Sequence, residues 1–199
     1  MAKKSHKRED ATDAVDELIS FANDLKNETD RAAVILGAVK LDQSLYQILH
    51  KVLKPSTARS DELLDGDNPL STFSARIILC HRLGFIDDEL CRALNLIRKI
   101  RNSFAHELSG ISLSSGAHRD RIRELIAPLR DNGDFRWLVD EIFSDCPGAA
   151  AEFRAAVALA AARLYDIFEN QSALYVRNPV PFLTPGLRAD GEKQKLADS

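Results

Sequence analysis

Apolar residues recur at helical spacing along most of the chain, and glycine and proline fall mainly between these periodic stretches. An apolar residue at every third or fourth position forms one stripe on a helix, and that stripe buries against neighbouring helices. We find no alternating strand pattern of convincing length and no internal repeat. The spacing therefore predicts an all-α fold, a compact bundle of about six or seven helices.

Caps and breakers set the predicted helix boundaries. Thr29 or Asn27 caps the second helix, and Asn68, followed by Pro69 in the first turn, caps the third. Pro128 kinks or ends the fifth helix. Gly37, inside the second helix, is expected to allow close approach of another helix. The predicted helices span approximately residues 11–26, 27–52, 69–83, 87–106, 119–130, 135–144 and 149–170.

The same pattern predicts one all-α domain over residues 11–173. Residues 1–10 form a charged leader that we expect to be mobile, and residues 174–199 form an extended, flexible C-terminal tail. The leader is followed by no apolar stretch of the signal-peptide kind, and no apolar run approaches the roughly 18 residues needed to span a membrane. The sequence therefore predicts a cytoplasmic protein without a membrane partner.

Cysteine usage agrees with a reduced compartment. The three cysteines are odd in number and include no Cys-x-x-Cys pair. A zinc site drawn from Cys80, His81, Cys91 and His106 matches no standard ligand spacing. A glycine-rich phosphate loop is also missing from the sequence. We therefore expect no cofactor and no metal.

Charge is distributed unevenly. The formal net charge is -3, so the chain as a whole is not an obvious polyanion binder. Residues 71–136 carry 11 Lys and Arg against 8 Asp and Glu, whereas the segments before and after carry 10 against 13 and 6 against 9. Within this basic third, Arg98, Lys99 and Arg76 are the candidate nucleic-acid-binding residues.

The segment Arg101-Asn102-Ser103-Phe104-Ala105-His106 places polar side chains late in the fourth helix. Asn102 and His106 are four residues apart and share a helix face. An imidazole titrates near neutrality and can move protons, and a guanidinium can hold a scissile phosphate. Asn102 would orient the His or the phosphate. These residues are candidates for metal-independent RNA cleavage, in which the substrate 2′-hydroxyl is the nucleophile.

A structural role for the same residues is the alternative. The last carbonyls of a helix lack intrahelical partners, and Arg and Asn side chains can bond them. His106 would then be a half-buried histidine with its hydrogen bonds satisfied. The two interpretations differ in whether the three side chains meet solvent or meet carbonyls.

The Arg101-to-His106 segment resembles the signature of the HEPN superfamily, an Arg followed by a polar residue and then a His late in a helix of an all-α bundle. The resemblance implies a dimer in which the motifs of both chains face a shared cleft. Many members of the superfamily are metal-independent endoribonucleases of toxin and defence systems, and others lack nuclease activity. It therefore implies catalytic roles for His106, Arg101 and Asn102.

A second resemblance covers roughly 135 residues. The segments DRAAVILGAVKLDQSL (30–45), LLDGDNPLSTFSARIILCHRLGFI (63–86), LNLIRKIRNSFAHEL (94–108) and FRAAVALAAARL (153–164) resemble, in order, the mannitol operon repressor (MltR) family. The resemblance implies a self-associating helical protein of transcriptional regulation.

Two functions therefore stand at this stage. The first is an MltR-like regulator that binds a protein partner, RNA or DNA without a recognisable helix-turn-helix, and the alternative is a HEPN-type ribonuclease.

Overall fold

The computed structural model of the chain describes residues 15–106, 112–114, 116–146 and 148–174. Every regular element in these residues is helical, which confirms the all-α prediction. The helices are α1 (residues 15–26), α2 (Asp30–Val52), α3 (Phe73–Arg82), α4 (Asp88–His106), α5 (Gly116–Ile126), α6 (Gly133–Trp137) and α7 (Gly148–Asn170). The predicted leader, and the predicted tail beyond Leu174, lie outside the described residues.

The two longest helices, α2 and α7, form the centre of the bundle, and each has 23 residues. α7 is rich in alanine and is buried over most of its length between Ala150 and Leu164. Small side chains let other helices approach closely. A Cβ atom on Gly37 would lie 2.7 Å from Val157 Cγ1, so the contact requires glycine. This confirms the expected close approach of another helix.

α2 and α7 run parallel, because contacts between them advance in the same direction along both helices. Arg154 near the start of α7 donates to Asp30 Oδ1 in the first turn of α2 at 3.2 Å. Lys51 near the end of α2 donates to the carbonyls of Phe168 and Glu169 near the end of α7. The loop after α4 returns to the first end, where Leu113 N donates to Asp30 Oδ2 at 3.2 Å.

α3 begins later than predicted. Thr72 is its N-cap and accepts from Ala75 N at 3.2 Å, whereas Asn68 and Pro69 belong to the preceding loop. Asn68 Nδ2 donates instead to the Asp61 carbonyl, and Leu70 N donates to the Leu63 carbonyl. The turn formers close the loop on itself, so the helix starts only after it.

Pro128 ends α5, one of the two predicted outcomes, whereas the next helix begins earlier than predicted. α5 ends at Ile126, and the chain continues as a 3-10 turn at Ala127–Leu129, because Pro128 cannot continue an α-helix. α6 then starts at Gly133 with Asn132 as its cap, two residues before the predicted start, and a π turn at Leu138–Ile142 follows it. In the described part of the chain, no helix is long and apolar enough to cross a membrane.

Candidate functional site

α4 presents one face to the core and the other to solvent. Asp87 caps its first turn, because its Oδ1 accepts from Leu90 N at 2.8 Å. Phe104 is fully buried, and its ring meets the ring of His118 on α5 edge-on with centroids 5.0 Å apart. The buried stripe consists of Leu94, Leu96, Ile97, Ile100 and Phe104. The C-terminal half of α4 is therefore held against the core while its outer face stays open.

The three predicted catalytic side chains lie at the solvent end of this helix. His106 is exposed, and Arg101 and Asn102 are half-buried. Arg101 Nη1 donates to Asn102 Oδ1 at 3.1 Å, so the guanidinium reaches towards the face that carries Asn102. Asn102 and His106 are four residues apart, which places their Cβ atoms about 5–6 Å apart. The structure thus brings Arg101 to Asn102, with His106 one turn further on.

The described residues do not form the alternative arrangement, in which these side chains bond the carbonyls at the helix end. None of Arg101, Asn102 and His106 donates a hydrogen bond to a backbone carbonyl or a carboxylate within them. With its Oδ1 held by Arg101, Asn102 turns its Nδ2 donors away from the guanidinium. Among the described residues, all three side chains therefore keep donors that have no acceptor.

Two further cations lie on the turn before the motif. Arg98 is half-buried, its Nη2 donates to Asn95 Oδ1 at 3.3 Å, and its Nε is buried without an acceptor in the described residues. Lys99 is exposed. Among all residues that the structure describes, no carboxylate oxygen lies within 4.0 Å of the cationic groups of Arg98, Lys99 or Arg101. Within the described ranges, Arg98 and Arg101 contact amide oxygens of neutral side chains rather than carboxylates.

The arginine nearer the start of α4 behaves differently. Arg92 donates to the Glu124 carbonyl at 3.0 Å and lies 3.5 Å from the Glu124 carboxylate. Arg154 and Arg163 on α7 also lie beside carboxylates. We name Arg98, Lys99, Arg101, Asn102 and His106 the α4 cationic surface.

Arg76 does not belong to this surface, contrary to its sequence-based assignment as a nucleic-acid-binding residue. It is only 8% exposed and donates to the Leu70 carbonyl, to the Leu64 carbonyl and to Asp42 Oδ1 at 2.8–2.9 Å. Its guanidinium also lies over the ring of Tyr46. These contacts fasten the loop before α3 to α2, so the donors of Arg76 are engaged inside the chain.

Arg121 on α5 is a neighbour of the surface that sequence reasoning missed. Its Nη1 donates to Ser103 Oγ at 3.0 Å, and Ser103 Oγ in turn donates to the Lys99 carbonyl. In the sequence, Arg119, Arg121 and Arg123 alternate with Asp120 and Glu124, a pattern typical of an exposed, salt-bridged face. Only the packing of α5 on α4 reveals that Arg121 points to the motif, and no local pattern signals it.

Cys80 and Cys91 are poor candidates for a nucleophile. Burial raises the pKa of the Cys80 thiol to about 12, and burial, assisted by Asp88, raises the pKa of Cys91. Both thiols therefore stay protonated near neutral pH. Over the described ranges, no three His, Cys, Asp or Glu side chains lie together in a way that could hold a metal ion.

Comparison with known proteins gave no matching family model, no matching curated protein and no matching solved structure. The fold and the α4 cationic surface therefore carry the functional argument.

Proposed function

We propose that the protein is an MltR-like helical regulatory protein that binds nucleic acid through the α4 cationic surface. The observation that carries the proposal is the set of Arg98, Lys99 and Arg101, which lack carboxylate partners in the described residues. Cations of this kind bind phosphates and release counterions, so they supply most of the sequence-independent affinity. Arginine forks add two-point contacts to phosphate oxygens.

RNA is the favoured nucleic acid. A DNA reader inserts a helix or ribbon into the major groove, usually as part of a helix-turn-helix or another recognised motif. The C-terminal half of α4 is packed on α5 and the core, and it exposes only one polar stripe. Such a stripe suits a flexible single strand, which can bring its phosphates to the cations and its bases to Asn102.

Fluorescence anisotropy with a labelled single-stranded RNA at several salt concentrations tests the proposal. The slope of log K against log salt is negative, and each lost phosphate contact reduces its magnitude by about 0.7 for a single strand. We expect Lys99→Ala and Arg101→Ala each to show this decrease. Arg163→Ala is the matched control, because Arg163 is paired with Asp166 on α7. Unchanged slopes in both surface variants, or an equal decrease in the control, would contradict the proposal.

A second candidate function is metal-independent RNA cleavage, favoured by the exposure of His106 one turn from an Asn102 that Arg101 already holds. The 2′-oxygen attacks the adjacent phosphorus, the bond to the 5′-oxygen breaks, and a 2′,3′-cyclic phosphate and a 5′-hydroxyl form. One proton leaves the 2′-hydroxyl and one goes to the 5′-oxygen. Arg101 would stabilise the charge on the phosphoryl oxygens, and His106 would make one of the two proton transfers.

A dimer would supply the second proton transfer, because a two-fold axis beside α4 would bring two copies of His106 to one phosphate. Cleavage of RNA in EDTA by the wild-type chain and by His106→Ala tests the idea, with His50→Ala as control. Loss of a positioned acid or base lowers the rate by about 10²–10⁴-fold. Light scattering of the purified protein measures the oligomeric state. No cleavage by the wild-type chain removes this candidate but leaves RNA binding intact.

A further inference from the structure

An apolar groove is lined by residues none of which belongs to the α4 cationic surface. It has a volume of about 620 Å³ and lies between the turn from α3 to α4, the first half of α4, the end of α5 and the second half of α7. Phe85, Leu90, Leu129, Leu159 and Ile167 contribute to its apolar lining. A groove of this volume, with an apolar lining and a few polar groups, has the usual form of a binding site.

The polar residues around the groove are mainly acidic. Asp87 and Glu89 lie at the start of α4, and Asp166 lies on α7. Arg163, the basic residue among the lining side chains, is 3.4 Å from Asp166 and compensates that carboxylate. Asp87 and Glu89 are exposed and lie outside any ion pair within the described residues. The groove therefore suits an apolar segment that carries positive charge.

We propose that residues 175–188 of the same chain bind this groove. Their sequence, YVRNPVPFLTPGLR, contains six large apolar side chains, two arginines and no carboxylate. It thus matches both the apolar lining and the acidic edge. Its three prolines restrict the unbound backbone, which lowers the entropy cost of binding in an extended form. The following residues, 189–199, are mostly polar and offer no comparable match.

The described chain ends close to the groove. Leu174 N donates to the Val52 carbonyl at 2.8 Å, which fixes the exit point at the C-terminal end of α2. Lys51, next to Val52, bonds the carbonyls of Phe168 and Glu169, and Ile167 beside them lines the groove. Fourteen residues reach about 46–50 Å when extended, more than the length of the helix segments that line the groove. A tether this short gives an effective concentration on the order of millimolar.

Site-specific photocrosslinking in the full-length chain tests the proposal. Phe182 is replaced by p-benzoylphenylalanine, and the cross-linked peptides are mapped by mass spectrometry. We expect products within one chain that join position 182 to the groove segments 84–93, 125–132 or 156–167. The same amino acid in place of Leu196 is the control and should give at least fivefold less of these products. Equal yields from both positions, or products only outside the groove, would overturn the proposal.

Charge reversal supplies a second readout. Glu89→Lys and Arg177→Glu should each lower the cross-link yield about two- to fivefold, the range of an exposed ion pair, and the double variant should recover part of it. Asp24→Lys, an equal charge change on the exposed side of α1, should have no effect. A mixture of heavy- and light-isotope chains shows which segment occupies the groove. Products that join a heavy chain to a light chain would mean that the segment comes from a second copy and not from the same chain. The inference is independent of RNA binding, so either can fail alone.

Discussion

Replacing Arg154 by methionine should destabilise the fold more than any substitution of an exposed arginine. Arg154 is 3% exposed and has four hydrogen bonds. It donates to the carbonyls of Leu25 and Glu28 at 3.2 and 2.7 Å, to Asp30 Oδ1 at 3.2 Å and to the Ala150 carbonyl at 3.1 Å. One guanidinium therefore joins the turn between α1 and α2 to α7. Methionine keeps the apolar stem and removes all of these donors.

The magnitude follows from what the substitution leaves behind. Removing one partner of a buried ion pair typically costs about 3–5 kcal/mol, because the other partner stays buried without compensation. The Asp30 side chain is 28% exposed, so water relieves part of that cost. We therefore expect the lower end, about 3 kcal/mol in the free energy of unfolding. For a protein of this size this corresponds to a fall in Tm of roughly 6–12 °C.

Urea denaturation followed by circular dichroism measures the effect. Arg163→Met is the matched control, because Arg163 and Asp166 are 58% and 39% exposed, and an exposed pair contributes about 0.5 kcal/mol or less. Asp30→Asn combined with Arg154→Met should cost less than the sum of the two single variants. A loss below about 1 kcal/mol for Arg154→Met, or strict additivity in the double variant, would refute the assigned role.

Three other perturbations test the packing. Gly37→Ala should lower the free energy of unfolding by about 1–3 kcal/mol, because the new methyl group meets Val157, although alanine has the higher helix propensity. In a urea titration, adding Val157→Ala should restore most of this loss. Burial raises the pKa of the Cys80 thiol from its unfolded value of 9.0 to about 12. The stability that the protonated thiol contributes to the folded state is therefore complete below pH 9 and is lost as the pH rises towards 12. Wild type should therefore lose about 1.4 kcal/mol per pH unit more than Cys80→Ala over that window, and parallel curves would be inconsistent with the burial. In Arg76→Lys, one ammonium group cannot reach the three acceptors that the guanidinium binds. Limited proteolysis should therefore cut the loop at residues 54–72 about tenfold faster than in wild type, and unchanged cleavage would argue against the anchoring role of Arg76.

Local chemistry made several features of the fold predictable. Thr29 was one of two candidate caps, and it accepts from Ala32 N at 3.2 Å. Gly37 had no local reason to stand inside a helix, which correctly indicated a close helix contact. Pro128 stops α5 because proline lacks an amide donor. In each case, the residue type restricts the backbone or its hydrogen bonds within a few residues, so the sequence alone carries the information.

The start of α3 and the burial of Arg76 were not predictable in the same way. Pro69 is compatible with a helix start and with a loop, and the long-range contacts of the loop decide between them. Arg76 is buried because the Leu64 and Leu70 carbonyls of the loop before α3 and the Asp42 carboxylate of α2 converge on it. Amino-acid composition does not distinguish a loop from a helix start at Pro69, or a buried arginine from an exposed one at Arg76.

The position of Arg101, Asn102 and His106 late in α4 was predictable from the sequence, but their contacts were not. The spacing of Asn102 and His106 on one face follows from the helix repeat. The bond from Arg101 to Asn102 depends on side-chain rotamers, and the approach of Arg121 to Ser103 depends on how α5 packs. The role of Arg154 could not be predicted from the sequence, because an arginine in an alanine-rich helix reveals nothing about its partners.

The parallel pairing of α2 with α7 has a consequence for the order of folding. Gly37 and Val157 are 120 residues apart in the chain, although their side-chain positions are in contact. Closing a loop of that length costs on the order of 4 kcal/mol of chain entropy, so this helical protein should fold more slowly than bundles built from local hairpins. During synthesis, the apolar face of α2 stays without its main partner until α7 has left the ribosome, and that interval is when a chaperone would find it exposed.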